Sequence, residues 1–232
     1  MSMKLQLEWR RLYLPDSAAG ADVDRVRGLV MTLGKPADWQ ALSAVWQGVQ
    51  LDLSWPAPAI AVSGTDGYQL WFSLAQAVPI EEAHAVLHAV RQRYLGHIAP
   101  DRVDVTHVDA GAMPGRQVQP DQWSAFVAPD LAPMFAETPW LDIPPSPDGQ
   151  ADLLSGLRGI KPAAWQGAST QLRERAMPDA AETPQALPSG TGANASQADP
   201  RRFLLEVMND ERVALALRIE AAKALLPYSP AR

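Results

Sequence analysis

The amino-acid sequence predicts an α+β domain that carries a short helical tail. Two observations indicate the domain: short runs of strand type separate segments whose apolar residues recur at helical spacing, and their order fits an antiparallel sheet with helices on one face. A third observation separates the tail, because Met177 to Ala198 reads MPDAAETPQALPSGTGANASQA, which is typical of a flexible linker. We therefore divide the chain into a domain at residues 1–175, a linker at 176–198 and a helical hairpin at 199–232.

The composition indicates a globular protein that can bury a core. Of 232 residues, 47% are hydrophobic and 20% are charged, and 20 lysines and arginines stand against 26 acids, for a net charge of −6. This acidic balance argues against a duplex-DNA binder that works mainly by charge. The absence of cysteine excludes a disulfide framework, thiolate metal sites and a cysteine nucleophile. No stretch has the pattern of a signal peptide or a membrane span, so we expect a cytoplasmic protein with no membrane partner.

The first part of the domain is predicted to form one strand and two helices. Lys4–Leu14 alternates imperfectly, carries strand-favouring residues and ends before Pro15, so we expect the first strand there. Between Val23 and Leu33, apolar residues recur at helical spacing, which predicts a helix. A second helix is predicted from Trp39 to Val49, with Asp38 as its N-cap.

The remaining elements complete a known structural plan. Pro58–Ser63 and Tyr68–Leu74 are short apolar runs around a loop with two glycines, which predicts a hairpin. Ile80–Leu95 has one apolar stripe and predicts a helix, and Arg102–Val108 alternates and predicts a strand. Strand, helix, strand, strand, helix and strand is the plan of ferredoxin/RRM-like folds, in which an antiparallel sheet has helices on one face only. We expect Asp121–Trp165 to cover part of the other face, which otherwise stays open.

The open face of this sheet is predicted to carry a polar surface. Side chains alternate across a strand, so the residues between those that enter the core point to the opposite face. This argument also requires that Val49–Leu53 forms a short strand. One face then collects the side chains of Gln50, Asp52, Ser63, Gln69, Trp71, Ser73, Asp104 and Thr106.

The stretch Ala61–Leu74, AVSGTDGYQLWFSL, resembles the central motif of the archaeo-eukaryotic primase-polymerase superfamily, which includes plasmid primases. In that family a turn rich in small residues leads into a strand that meets the nucleotide, and acids on neighbouring strands bind divalent metal. The resemblance implies that Asp52 and Asp104 are the catalytic acids and hold Mg²⁺ or Mn²⁺. It also implies a nucleotide-binding set, whose members are Ser63, Gly64, Gly67, Gln69 and Trp71.

Two departures from the family pattern weaken the predicted chemistry. Gln50 stands where the family has its first acid, and Gln69 stands where a histidine is typical. An amide carries no charge and ligates Mg²⁺ poorly, whereas two-metal phosphoryl transfer needs carboxylates to hold the cations. We therefore expect a degenerate DNA primase or nucleotidyltransferase, catalytically weak or inactive, that binds a nucleotide or single-stranded nucleic acid. The plainer interpretation is that the two glycines serve only the hairpin and that Trp71 is ordinary core.

Other candidate groups are weaker signals. His84 and His88 lie one turn apart on a predicted helix, a spacing that can chelate a metal but that also occurs on a solvated helix flank. His107 and Asp109 could share a site if their strand continues. Trp55, like Trp71, is a candidate for stacking on the bases of a single strand, since bases stack on exposed indoles.

The tail, Asp199–Arg232, is predicted to form a helical hairpin, with an Asp-Pro start and Pro227 after its second helix. Its sequence, DPRRFLLEVMNDERVALALRIEAAKALLPYSP, is similar to a helical segment of phage small-terminase-like proteins. This resemblance implies a plasmid, phage or integrative element as the setting, and a replication or packaging protein as the partner of the tail. The other possibility is an amphipathic hairpin that packs on itself or on the domain. The alternative to a primase-like protein is a non-enzymatic adaptor that acts through these C-terminal helices.

Overall fold

A computed structural model describes residues 2–15, 24–109 and 111–176, all of which belong to one compact unit, Met1–Ala181. The predicted linker, apart from its first residue, and the predicted C-terminal hairpin lie outside the described residues. Within the described ranges, no helix has both the length and the apolar character needed to cross a membrane.

The fold is α+β and is built on a five-stranded antiparallel sheet in the order β4-β1-β3-β2-β7. The strands of this sheet are β1 (Arg25–Gly34), β2 (Ala59–Val62), β3 (Gly67–Pro79), β4 (Val103–His107) and β7 (Ala125–Val127). A separate two-stranded ribbon pairs β5 (Gln117–Gln119) with β6 (Gln122–Trp123).

Helices cover both faces of this sheet. They are α1 (Met3–Tyr13), α2 (Trp39–Asp52), α3 (Ile80–Leu95), α4 (Pro147–Ser155) and α5 (Pro162–Ala176). Short 3₁₀ turns lie at Pro100–Arg102 and Ala132–Phe135. Asp38 caps α2 as predicted, since its carboxylate accepts a hydrogen bond of 2.9 Å from the backbone N–H of Ala41.

The main core lies between the sheet and helices α2 and α3. The helices contribute residues such as Leu42, Val45 and Leu87, and β3 contributes Tyr68 and Leu70, all of them fully buried. Ile60, Val62, Val103 and Val105 join the same core, as pleat alternation predicts. Leu51, which the predicted strand Val49–Leu53 would also bury, is 81% exposed.

Much of the opposite face of the sheet is also packed, and the prediction that helices lie on one face only is wrong. Helix α1 contributes Leu5, Trp9, Leu12 and Tyr13 to a second core cluster, and α4 contributes Ala151 and Leu154. Of the predicted covering segment, Phe126 and Leu154 lie in this cluster, whereas Trp165 packs in the main core. The domain therefore has three layers, with α2 and α3 on one side of the sheet and α1 and α4 on the other.

The strand predicted at Lys4–Leu14 is wrong, because this segment forms helix α1. Leu5, Trp9 and Leu12 are spaced so that they share one side of a helix, and all three are buried. The imperfect alternation of the sequence arises from this helical spacing rather than from a pleated strand.

The helix predicted between Val23 and Leu33 is also wrong, because the segment from Arg25 forms strand β1. This strand is central, paired with β3 on one side and β4 on the other, and its apolar residues enter both cores. A strand that is buried on both faces loses the alternation of apolar and polar residues. Its valines then fall at helical spacing without forming a helix. The hairpin, α2, α3 and β4 lie where the sequence predicts them.

We expect Trp9→Ala to destabilise the domain, because Trp9 is 4% exposed at the centre of the second cluster. Truncation of a buried tryptophan costs about 3–5 kcal/mol in the free energy of unfolding. Leu7 on the same helix is 62% exposed, and Leu7→Ala is the matched control, expected to change stability by no more than about 0.5 kcal/mol. Urea unfolding of both variants measures this difference, and equal losses would contradict the packing of α1 on the sheet.

Candidate functional site

Three polar side chains form a row across the sheet, on the face away from α2 and α3. Thr32 of β1 lies opposite Gln69 of β3 and opposite Asp104 of β4. The amide of Gln69 donates to the Thr32 hydroxyl at 3.5 Å, while Asp104 is exposed and the other two are half-buried. The alternation argument therefore predicts correctly that Gln69 and Asp104 share a face. The sequence does not point to Thr32, because the apolar spacing around it predicts a helix rather than a strand. We call Thr32, Gln69 and Asp104 the polar row.

The neighbouring part of the same face, around Trp71 and Ser73, is covered by α1. Trp71 is 3% exposed and its ring lies 5.3 Å from Trp9, 5.7 Å from Tyr13 and 5.8 Å from Phe126, between ring centroids. Its indole N–H donates to the Gln69 side-chain oxygen at 3.1 Å. Ser73 is buried and its hydroxyl donates to the carbonyl of Leu12 at 2.6 Å. The predicted exposed positions of Trp71 and Ser73 are therefore wrong, because α1 lies over them.

Gln50 and Asp52 do not lie on the sheet, and the predicted strand Val49–Leu53 is wrong. The apolar spacing of α2 continues through Val49, so the helix extends to Asp52. The Asp52 carboxylate is paired with the Arg93 guanidinium at 2.5 Å and accepts from the Tyr94 hydroxyl at 2.9 Å, both on α3. The sheet separates this helix layer from the face that carries Asp104.

The arrangement does not fit the pair of divalent cations that the resemblance implies. The polar row has one carboxylate, Asp104, beside an amide and a hydroxyl, and Asp52 belongs to the other layer. Among residues 2–15, 24–109 and 111–176, no three His, Asp or Glu side chains converge so as to hold a metal ion. A Mg²⁺ or Mn²⁺ site normally gathers several oxygen ligands, of which one or more are carboxylates.

The turn from Ser63 to Gly67 uses its backbone donors within the protein. The Ser63 hydroxyl accepts from the N–H groups of Thr65 at 3.2 Å and Gly67 at 3.0 Å. The N–H of Ser63 donates to the carbonyl of Gly67, and the N–H of Gly64 donates to Pro139 at 3.0 Å. Donors engaged in this way do not point toward a phosphate.

The backbone of this turn requires glycine at both positions 64 and 67. Gly64 has a φ of +86°, a conformation that favours glycine, and a side chain there would lie 2.9 Å from the backbone nitrogen of Ser124. A Cβ at Gly67 would lie 2.7 Å from the carbonyl oxygen of Leu33, which is too close for any other residue. The plainer interpretation of the glycines therefore accounts for their presence.

Trp55 is buried as well, at 3% exposure, and its ring stacks on Trp165 with 5.5 Å between centroids and 17° between planes. The prediction that it is available to stack on bases is wrong. Trp55 lies in the loop between α2 and β2, and its indole N–H donates to the carbonyl of Ala164 on α5 at 3.3 Å.

The structure brings together histidines that are distant in sequence. His84 of α3 and His107 of β4 lie 5.7 Å apart between ring centroids, and His107 Nε2 is 3.6 Å from the Asp109 carboxylate. His84 Nε2 is buried and has no hydrogen-bond partner among the described residues. Burial lowers the pKa of His84, as do the nearby His107 and His88, while Asp104 acts in the opposite direction.

Comparison with known proteins adds no family to this description, since neither a family model nor a curated protein matches the chain.

We expect the domain to lose stability as the pH falls below the ordinary histidine pKa of 6.5. The pKa of His84 is lower in the folded state, so as the pH falls the unfolded chain binds a proton at this imidazole before the folded domain does. Protonation therefore favours the unfolded state, and the resulting loss in the free energy of unfolding is absent at higher pH and grows as the pH falls. His84→Gln should reduce the pH dependence of the free energy of unfolding between about pH 7 and pH 5. His97→Gln, at an exposed position, is the control and should leave that dependence unchanged. An identical slope in both variants would contradict the role of the His84 contact.

Proposed function

We propose that this protein is a non-enzymatic interaction protein, built on a ferredoxin/RRM-like domain akin to a primase palm, that binds its partner through residues 199–232. The observation that carries the proposal is the closure of the second sheet face by α1 and α4. A palm uses this face for its nucleotide and metal ions, and here the part around Trp71 is covered by the protein's own aromatic residues.

The kinship with the palm is supported by topology and by the position of the turn. The first four sheet strands in chain order are arranged as β4-β1-β3-β2, with α2 following β1 and α3 following β3. This arrangement is the one expected of ferredoxin-like folds. The turn from Ser63 to Gly67 connects β2 to β3, and Gln69 follows on β3 at the place where the family strand meets its nucleotide.

Three sets of contacts support the proposal that this protein is not an enzyme. Asp52 is paired with Arg93 across two helices, Ser63 takes up the donors of its own turn, and Trp71 lies beneath α1. Each residue would have to leave a packed or hydrogen-bonded position to act on a nucleotide. A fold can persist after its chemistry is lost, and we place this protein in that class.

The role of the tail is supported by its sequence alone. The segment resembles helices of phage small-terminase-like proteins, and about thirty residues bury little apolar surface without a partner. We propose a protein of DNA replication or packaging on a plasmid, phage or integrative element as that partner.

The full chain should show no metal-dependent incorporation of labelled nucleotide, because the polar row supplies a single carboxylate. The assay is run with a primed template and with Mg²⁺ and Mn²⁺ in turn, and fluorescence anisotropy of a labelled oligothymidylate is measured in parallel. Asp104→Ala and Asp101→Ala form a matched pair, since both carboxylates are exposed and only the first lies in the polar row. Incorporation that Asp104→Ala abolishes and Asp101→Ala preserves would overturn the proposal.

Removal of residues 199–232 should abolish partner binding without unfolding the domain. A photoreactive amino acid placed at Leu217 in the full chain allows cross-linking in the producing cells, followed by mass spectrometry of the product. We expect a replication or packaging protein to be cross-linked, its co-purification to be lost on truncation, and the Tm of the domain to stay within about 2 °C. A double variant, Gln69→Ala with Asp104→Ala, should retain the partner. Loss of the partner in this variant, but not on truncation, would assign the interaction to the sheet face instead.

A further inference from the structure

A cavity of about 350 Å³ lies between the end of β3, the first turn of α3 and the start of α5. This volume is at the lower end of the range of small-molecule sites, which is about 300–1,000 Å³. Its lining residues lie between Arg25 and Gln166 in the sequence and include none of the polar row, so an inference about it goes beyond the proposed function.

The cavity lies where β3 separates from β1, at a long bulge in β3. Gly28 pairs with Ser73 and Val26 pairs with Val78, so residues 74–77 of β3 stand opposite Arg27 alone. The displaced strand pairs with Ile160 instead, whose N–H donates to Ser73 at 2.7 Å and whose carbonyl accepts from Ala75 at 2.9 Å. Bulges of this kind are frequent beside binding sites, because they redirect side chains that a regular strand would bury.

The inner wall of the cavity is apolar. Leu74, Ile160 and Trp165 line it, and each is a buried residue of the main core. Trp165 is held in place by its stack on Trp55 and by its indole N–H, which donates to the Glu82 carboxylate at 2.8 Å. An apolar wall of this kind is suited to an aliphatic or aromatic group.

The rim of the cavity carries one cation and one anion. The Arg25 guanidinium donates to the carbonyl of Ala77, and the Glu82 carboxylate accepts from Trp165. Within the described part of the chain, neither side chain forms an ion pair, with the other or with any third group. An arginine has five N–H donors and a carboxylate has two oxygens, so both retain capacity for a ligand.

We propose that this cavity binds a free α-amino acid with an apolar side chain. The α-carboxylate pairs with Arg25, the α-ammonium group pairs with Glu82, and the side chain lies against Leu74, Ile160 and Trp165. A zwitterion carries a partner group for each of the two rim charges, whereas a simple carboxylic acid or amine carries a partner for only one of them. The exposed amides of Gln76 and Gln166 stand at the same rim and can donate to, or accept from, the ligand.

Three linear six-carbon probes distinguish the ligand classes: norleucine carries both charges, hexanoate only the carboxylate and hexylamine only the ammonium group. Each is titrated into the full chain with labelled Leu, Val and Ile methyl groups and labelled tryptophan indoles. We expect norleucine to shift the signals of Leu74, Ile160 and the Trp165 indole in a saturable manner, and to bind about tenfold more tightly than either other probe.

Two charge-removing variants, each with a control, assign the rim contacts. Arg25→Gln and Glu82→Gln should each weaken norleucine binding by about tenfold, since each removes one charge-assisted hydrogen bond. Arg10→Gln and Glu81→Gln remove the same charges at exposed positions away from the cavity lining and should leave the affinity unchanged. Arg25→Lys keeps the charge and should retain most of the affinity.

The inference is overturned by any of three results. These are the absence of saturable shifts up to about 20 mM norleucine, equal affinity for hexanoate or hexylamine, and equal losses in the rim and control variants. None of these results bears on the partner of residues 199–232, so failure here leaves the proposed function to its own experiments.

Discussion

The packing of α1 against the sheet is the interaction on which the rest of this domain depends. Trp9 and Tyr13 lie against Trp71, which stands on the central part of β3, and Phe126 of β7 completes the aromatic cluster. Aromatic residues bury large areas and contribute strongly to stability, so this contact holds the helix firmly. The part of the sheet face that carries Trp71 and Ser73 thus becomes the second half of a core.

The Arg27 guanidinium links α1, by hydrogen bonds, to the segment of β3 that borders the cavity. Arg27 donates to the carbonyl of Arg11 in the last turn of α1 at 2.9 Å and to that of Leu14, which follows the helix, at 3.2 Å. It also donates to the carbonyl of Leu74 at 3.2 Å, where the bulge begins. Arg11 in turn donates to Leu154 and Leu157, at the end of α4. Hydrogen bonds from Arg11 and Arg27 therefore connect α1, α4 and the bulge. The two arginines also supply partners for backbone carbonyls that would otherwise have none.

The two candidate regions of the domain differ in what they can bind. The polar row combines one exposed carboxylate with neutral groups that already bond to each other, so it offers little to a polyanion such as a nucleotide. The cavity combines an apolar wall with an unneutralised cation and an unneutralised anion, which is a complementary surface for a small zwitterion.

Local spacing and pleat alternation are enough to predict the hairpin, α2 with its Asp38 cap, α3, β4 and the faces on which Tyr68, Gln69 and Trp71 lie. Contacts between distant segments are needed to make α1 a helix and β1 a strand, and to place Asp52 in a helix. Short apolar segments fit either period, and the choice depends on partners distant in the chain. The same reason applies to the cavity, since Arg25, Glu82 and Trp165 meet only after three elements have packed together.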